Sequence, residues 1–195
     1  MKYFLVLLTL FVMPITGCAE SSALIARSSI NERTDVFEEQ RTQTPVPAGY
    51  VDLKITAILK THLPGAYSAT DIHGTQDYNL LVNIDGQAMH LRGSRQNEYR
   101  QDLSMTNPES GNGTKYLFHS YVRLKEGSHK VVVAIPADKI AVEKELILKA
   151  GKTEHLLVEP IYGSKSKKLG INKGFVESFA EGIKTFRVML NGLEI

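Results

Sequence analysis

Residues 51–60 alternate between apolar and polar side chains, and this pattern constrains the fold more than any other feature of the chain. Successive side chains of a β-strand point to opposite faces, so an apolar residue at every second position predicts a strand with one buried face. Ile58 is the one apolar residue on the polar face. The apolar positions are Val51, Leu53, Ile55, Ala57 and Leu59.

The same pattern recurs along the rest of the chain. Asp85-Gly86 predicts a tight type I′ hairpin, because both residues tolerate the positive φ that this turn requires. Val131-Val132-Val133 is apolar on both faces, which predicts a central strand of a sheet. The polar stretch 92–114 predicts a long loop. The further predicted strands cover 78–84, 87–91, 115–124, 128–135, 142–149, 153–162 and 186–190.

About eight strands joined mostly by tight turns predict an all-β fold, either an antiparallel β-sandwich or a partly open barrel. The sequence shows no parallel β-α-β rhythm. Phe175, Phe179 and Ile183 are spaced at i, i+4 and i+8, which predicts one short amphipathic helix near the C-terminus. We place the whole domain at residues 50–195.

The first residues have the parts of an export signal. Lys2 gives a positive start, and an apolar run follows from Tyr3 to Met13. A membrane-spanning helix needs about 20 apolar residues, and this run is little more than half as long. The segment is therefore predicted to be a cleaved signal peptide of residues 1–17.

Ile15-Thr16-Gly17-Cys18 resembles the lipobox of bacterial lipoproteins, in which an aliphatic residue and two small residues precede an invariant cysteine. The resemblance implies lipidation of the Cys18 thiol and attachment to the membrane through that lipid. Because Ala19, and not aspartate, follows the cysteine, it further implies the outer membrane, on the side that faces the periplasm. The alternative is an exported soluble protein that has a cysteine near its cleavage site.

Residues 18–49 are rich in Ser, Thr, Gln, Glu and Arg and end in Pro45-Val46-Pro47-Ala48-Gly49. Such a composition buries too little apolar surface to offset the entropy of the chain. It predicts a flexible polar tether that begins at the lipidated Cys18. Ser29-Ile30-Asn31-Glu32 has the form of a capping box, so a short helix within the tether is an alternative.

Charge and cysteine content exclude several classes of function. The chain has 23 Lys and Arg against 21 Asp and Glu, a formal net charge of +2, which gives no reason to expect nucleic acid as a partner. Cys18 is the only cysteine. The exported protein can therefore form no internal disulfide, and its domain has neither a cysteine zinc site nor a thiol nucleophile.

Residues 122–158 resemble the PEGA-type and transthyretin-like surface modules of bacteria. The shared order is a strand, a turn at Glu126-Gly127, a valine-rich strand, another strand and a turn at Ala150-Gly151. The first turn reads Lys125-Glu126-Gly127-Ser128 where PEGA is expected. The resemblance implies a β-sandwich module with an adhesive or spacer role, and it transfers no catalytic residue.

The common catalytic motifs are missing from the sequence. There is no Gly-x-Ser-x-Gly or His-Glu-x-x-His, and Gly151-Lys152-Thr153 lacks the earlier glycine of a phosphate-binding loop. His119, His129 and His155 lie in predicted strands that a meander could bring together as metal ligands. Asp71 and His73 lie two residues apart and could act together. Isolated histidines on strand faces are the simpler interpretation, so we predict no metal, no cofactor and no catalytic residue.

These features together predict a lipid-anchored protein of the cell envelope with a non-enzymatic structural, assembly or binding role. Its expected partners are the membrane, another envelope protein or a cell-wall polymer. Two alternatives stay open. One is a periplasmic module that binds a small ligand or a metal, and the other is a hydrolase whose site the motifs do not reveal.

Overall fold

The computed structural model describes residues 17–42, 44–65, 68–99, 109, 111–166 and 181–195. In this part of the chain helix α1 spans Gly17–Ser28, and a 3-10 helix spans Pro136–Asp138. The strands are β1 (Phe37–Glu39), β2 (Tyr50–Thr61), β3 (Asn79–Ile84), β4 (Gln87–Arg92), β5 (Ser94–Glu98), β6 (Gly113–Lys125), β7 (Gly127–Ile135), β8 (Ile140–Leu148), β9 (Thr153–Ser166), β10 (Glu181–Leu190) and β11 (Leu193–Glu194).

The strands form two sheets. The seven-stranded sheet has the order β1-β6-β2-β9-β10-β11, with β5 also paired to β6, and the four-stranded sheet has the order β4-β3-β7-β8. All pairs are antiparallel except β2 and β9, which are parallel. The predicted all-β fold with two sheets is therefore confirmed, although the described part of the chain has eleven strands where about eight were predicted. The described strands close no barrel, and the parallel pair was not predicted.

A single apolar core fills the space between the two sheets. The alternating residues of β2 all face it, as do Tyr78 and the alternating residues of β3. Strand β6 contributes its own alternating set, which the sequence also predicted. The core side chains from these strands are Val51, Leu53, Ile55, Ala57, Leu59, Tyr78, Leu80, Val82, Ile84, Tyr116, Phe118, Val122 and Leu124.

Strand β7 is central, as its run of valines predicted, because it lies between β3 and β8. Val131 and Val133 face the core. Val132 faces the opposite side of the sheet, where it lines a groove together with Arg27 and Ser28 of α1. Helix α1 thus covers the outer face of the four-stranded sheet, and both faces of β7 are buried.

The predicted hairpin at Asp85-Gly86 is confirmed: these residues connect β3 to β4 with φ values of 48° and 93°. The turn at Lys125-Glu126-Gly127 does not connect two neighbouring strands of one sheet. It joins β6 to β7, which belong to different sheets, so the chain crosses the sandwich at this point. Consecutive strands are therefore not always neighbours in a sheet, which limits what a strand pattern alone can predict.

The predicted helix and the predicted long loop differ from the structure. The described α-helix lies near the N-terminus, and not near the C-terminus as predicted, and Ile183 belongs to strand β10. The predicted loop 92–114 contains β5, which pairs with β6 through its backbone although its side chains are polar. Polar side chains suit a strand at the edge of a sheet, and this one therefore lacks the alternating pattern.

Residues 18–49 were predicted to be a flexible tether, but the described part of this segment is attached to the sandwich. Ser28 is buried, and its carbonyl accepts a hydrogen bond from the Asn83 side chain at 2.9 Å. Strand β1 pairs with β6, which places Phe37 in the core at 6% exposure. This segment needs few apolar residues of its own, because β1 and α1 attach to sheets whose core side chains come mainly from other strands.

Some predictions concern residues outside the described part of the chain. They include most of the signal peptide (residues 1–16), and Phe175 and Phe179 of the predicted helix. Among the helices that the structure describes, none has the length and the apolar character needed to cross a membrane.

Candidate functional site

A cluster of titratable side chains lies at one end of the sandwich. His62 directly follows β2, while Asp71 and His73 come from the connection between β2 and β3. Asp138 ends the 3-10 helix after β7, and Tyr78 directly precedes β3. We call these five residues the histidine cluster. The cluster connects the two sheets. His62 follows a strand of the seven-stranded sheet, whereas Tyr78 and Asp138 lie next to strands of the four-stranded sheet.

The carboxylate of Asp71 lies between two imidazoles. Nε2 of His62 is 2.6 Å from Oδ2 of Asp71, and Nδ1 of His73 is 2.5 Å from Oδ1. The backbone N–H of His73 also donates to Oδ1, at 3.1 Å. The exposed fractions of the three side chains are 6% for His62, 13% for Asp71 and 14% for His73. The group is therefore nearly buried but close to the surface.

Asp138 holds the opposite side of the His73 ring. Its Oδ1 lies 2.9 Å from Nε2 of His73, and its Oδ2 accepts a hydrogen bond from the hydroxyl of Tyr78 at 2.7 Å. Both ring nitrogens of His73 therefore face carboxylates. Since an ionised carboxylate can only accept hydrogen bonds, the ring donates from both nitrogens when it is protonated.

Aromatic contacts fix the cluster to the core. The ring centroids of His62 and His73 are 4.7 Å apart, and those of His73 and Tyr78 are 5.0 Å apart. The row continues to Tyr116, 5.0 Å from Tyr78, and then to Phe118. Because Tyr78, Tyr116 and Phe118 are fully buried, the row positions the His73 ring rigidly.

Neighbouring charges shift the titration of the cluster. Burial alone raises the pKa of Asp71, but hydrogen bonds from His73 and His62 outweigh it and lower that pKa to about 2. Burial alone lowers the pKa of His73, but Asp138 and Asp71 outweigh it, so the pKa of His73 is raised. Burial, and then Asp138, raise the pKa of the Tyr78 phenol well above its ordinary value. Asp71 is therefore ionised at neutral pH.

The loop that carries His73 depends on a glycine. Gly74 has φ of 75°, and a Cβ built there would lie 2.6 Å from both the ring nitrogen and Cδ of Pro64. The carbonyl of Gly74 also accepts a hydrogen bond from Nη1 of Arg95 at 2.7 Å. The backbone thus passes so close to Pro64 that no side chain fits.

Gly74→Ala should destabilise the domain much more than Gly151→Ala. Both positions have a left-handed φ, 75° and 82°, which costs a non-glycine residue about 1–2 kcal/mol. Only Gly74 adds a clash, since a Cβ at Gly151 has no neighbour within 4 Å. We expect a loss of more than about 2 kcal/mol at Gly74 and about 1 kcal/mol at Gly151, measured by urea unfolding. Equal losses would show that the approach to Pro64 is unimportant.

A buried lysine lies beside the cluster. Lys60 has a fully buried side chain on the outer side of β2, and its Nζ lies 3.2 Å from Oε2 of Glu98. The same Nζ donates to the carbonyls of Glu109 and Gly111, each at 2.8 Å. Tyr162 accepts a hydrogen bond from the Lys60 backbone at 2.9 Å. These contacts hold the charge of Lys60 in place and close this side of the site.

The three histidines singled out from the strand pattern do not converge. His119 and His155 lie in the seven-stranded sheet, where Nε2 of His155 is 3.1 Å from Oγ1 of Thr56. His129 belongs to the four-stranded sheet, with Nδ1 2.7 Å from Oδ2 of Asp85. The crossing between β6 and β7 separates His129 from the other two.

Asp71 and His73, which the sequence paired by their spacing, do meet in the structure. The sequence pattern predicted Tyr78 as part of a strand, and it indicated no role in a site for His62, Tyr78 or Asp138. The motif Asp-x-His at residues 71–73 gave a local signal, but nothing in the sequence places residues 62 and 138 beside it. A histidine directly after a strand, followed by a loop with Asp-x-His, is the signal that could have found His62.

Two imidazole nitrogens and a carboxylate oxygen from the cluster lie within 4.8 Å of one another. Among the residues that the structure describes, this is the one group of at least three histidine and acidic side chains with such spacing. The adjoining cavity measures about 10 Å³, close to the space of one water molecule. The arrangement can therefore hold a proton or a small cation, whereas an organic substrate does not fit.

We compared the chain with models of known protein families, with curated proteins and with solved structures, and no match was found in any of the three.

Proposed function

We propose that this chain is a lipid-anchored protein of a bacterial cell envelope, with a β-sandwich that has a structural or binding role and catalyses no reaction. The observation that carries the proposal is the lipobox Ile15-Thr16-Gly17-Cys18, which follows a short apolar run after Lys2. The outer membrane, on its periplasmic side, is the proposed address because Ala19 follows the cysteine.

The position of Cys18 in the fold supports this proposal. Cys18 lies in the first turn of α1, and cleavage at the lipobox would make it the first residue of the mature chain. Arg27 at the other end of the helix lies 3.4 Å from Glu143 of β8. An anchor on Cys18 would therefore hold the four-stranded sheet close to the membrane, only about the length of this helix away.

The interior of the sandwich supports a role without catalysis. Apolar side chains from both sheets fill the space between them. The cavity at the histidine cluster is too small for an organic substrate. A filled core of this kind suits a module that binds through its surface or acts as a spacer between other components of the envelope.

Metabolic labelling with a radioactive fatty acid tests the proposal. The full chain is expressed in a Gram-negative host, immunoprecipitated and separated by electrophoresis, and membranes are washed at high salt. We expect a labelled protein that stays with the membrane, because two or more acyl chains bind firmly where a surface charge does not. An unlabelled protein, or one that the salt wash releases, would contradict the proposal.

A further inference from the structure

His62, Asp71 and His73 form a compact group in which each side chain offers one atom that can bind a metal ion. We propose that these residues bind one divalent transition-metal ion of the zinc type, and that Asp138 positions the His73 ring for it. The site lies within the folded domain, and the proposal does not depend on the lipid anchor.

The three candidate ligand atoms are already close to the spacing that an ion requires. One ring nitrogen of His62, one of His73 and one oxygen of Asp71 lie within 4.8 Å of one another. Zinc bonds to nitrogen and oxygen measure about 2.0–2.2 Å, so tetrahedral ligands lie roughly 3.4 Å apart. The two nitrogens are now 2.5 and 2.6 Å from Asp71 oxygens. The carboxylate therefore has to withdraw from both nitrogens by roughly 0.8–0.9 Å before an ion can be bound by all three groups.

Asp138 supplies the outer contact that metal-bound histidines need. Such a histidine almost always donates its second ring N–H to a carboxylate or carbonyl, which fixes the ring and its tautomer. Nε2 of His73 lies 2.9 Å from Oδ1 of Asp138, and the hydroxyl of Tyr78 holds the other carboxylate oxygen at 2.7 Å. Nδ1 of His73 is thereby left to face Asp71, where the ion would bind.

Size and ligand type narrow the choice of ion. The cavity of about 10 Å³ admits one ion or one water molecule. Imidazole ligands suit zinc, copper and nickel, while calcium and magnesium prefer oxygen ligands alone. Three protein ligands leave the fourth position of a tetrahedral ion for water or for a donor from a partner. Zinc is the natural probe, and cobalt reports the geometry through its absorption spectrum.

The test uses the full chain, purified in detergent, stripped of metal with a chelator and then dialysed. Zinc is titrated by calorimetry, and the melting temperature is recorded with and without the ion. We expect saturable binding of one zinc ion per chain and a higher melting temperature with zinc, because an ion that binds only the folded state stabilises it. His73→Gln should lose the binding and the shift.

His155→Gln is the matched control, since His155 is a partly buried histidine that contacts Thr56 and lies outside the cluster. It should bind zinc as the wild type does. Asp138→Asn keeps all three ligands, so it should retain one site per chain and lose affinity by about 10–100-fold. This loss separates a positioning role from a purely structural one.

Circular dichroism of each metal-free variant establishes that it is folded. If His73→Gln is unfolded, His62→Gln replaces it as the ligand variant. Cobalt should give the absorption bands of a tetrahedral site in the wild type and in His155→Gln, in Asp138→Asn only at higher cobalt concentration, and not in the ligand variants. The proposal is overturned if the wild type binds no stoichiometric zinc, or if a folded ligand variant binds zinc as tightly as the wild type.

Discussion

Val133→Asp should leave the domain without a stable fold. Val133 is 1% exposed in the centre of the four-stranded sheet, paired with Val82 on one side and Val142 on the other. All three side chains face the apolar core or pack against it. A charge placed there has no partner and no water, which costs more than about 4 kcal/mol. Domains of this size are stable by only about 5–15 kcal/mol, so little or none of that stability remains.

Val132→Asp is the matched control, one residue away on the same strand. Val132 is 4% exposed, but it faces the groove under α1, near Arg27 and Lys130. An aspartate there would lie opposite Glu143 of β8, but it would reach the water and the polar side chains that line this open groove. Thermal unfolding of both variants by circular dichroism measures the difference. We expect a reduced but clear transition for Val132→Asp and none for Val133→Asp, and the reverse order would contradict the assigned orientation of β7.

Cys18→Ser should abolish attachment of the mature protein to the membrane. A hydroxyl does not replace the thiol as the acceptor of the lipid, so the lipobox is no longer processed. Each buried methylene of an acyl chain contributes roughly 0.8 kcal/mol, which makes the loss of two chains decisive. The variant should accumulate as an unprocessed precursor or appear as a soluble form. Immunoblots of fractionated cells distinguish these forms from the wild type by size and location.

A second variant shows whether the position of the thiol matters. Cys18→Ser combined with Ser21→Cys moves the only thiol by three residues along the same helix. It should behave as Cys18→Ser does, because Gly17 no longer directly precedes the cysteine. Normal maturation and membrane attachment of either variant would remove the support for a lipid anchor at Cys18.

Most strands could be predicted from the sequence because burial on one face imposes a period of two. Strands β2, β3 and β6 show this period clearly, and the valines of β7 identify a strand that is covered on both sides. The division of the strands between two sheets could not be predicted. A glycine turn such as Glu126-Gly127 looks the same whether it connects neighbours in one sheet or crosses to the other.

Segments that add to an existing sheet are harder to predict than those that form it. Strand β5 pairs with β6 through its backbone and keeps its side chains polar, so it has no apolar period. Strand β1 contributes one core residue, Phe37, within a polar segment. Backbone hydrogen bonds hold both strands in the sheet. A prediction based on side-chain patterns therefore misses these two strands.

The histidine cluster illustrates the same limit for a site. Asp71 and His73 are close in sequence, so their spacing predicted joint action. His62 and Asp138 are separated by 76 positions, and both contact His73 because β2 and β7 end on the same side of the sandwich. The strand pattern instead favoured His119, His129 and His155, because it does not show which sheet each strand joins.

Mass spectrometry of the mature protein tests the lipid anchor most directly. The protein is extracted from washed membranes, and the mass of its N-terminal peptide is determined after proteolysis. We expect a peptide that begins at Cys18 and is heavier than its sequence by a diacylglyceryl group on the thiol, with or without an acyl group on the amine. A peptide that begins at another residue, or a Cys18 with a free thiol, would contradict the central claim.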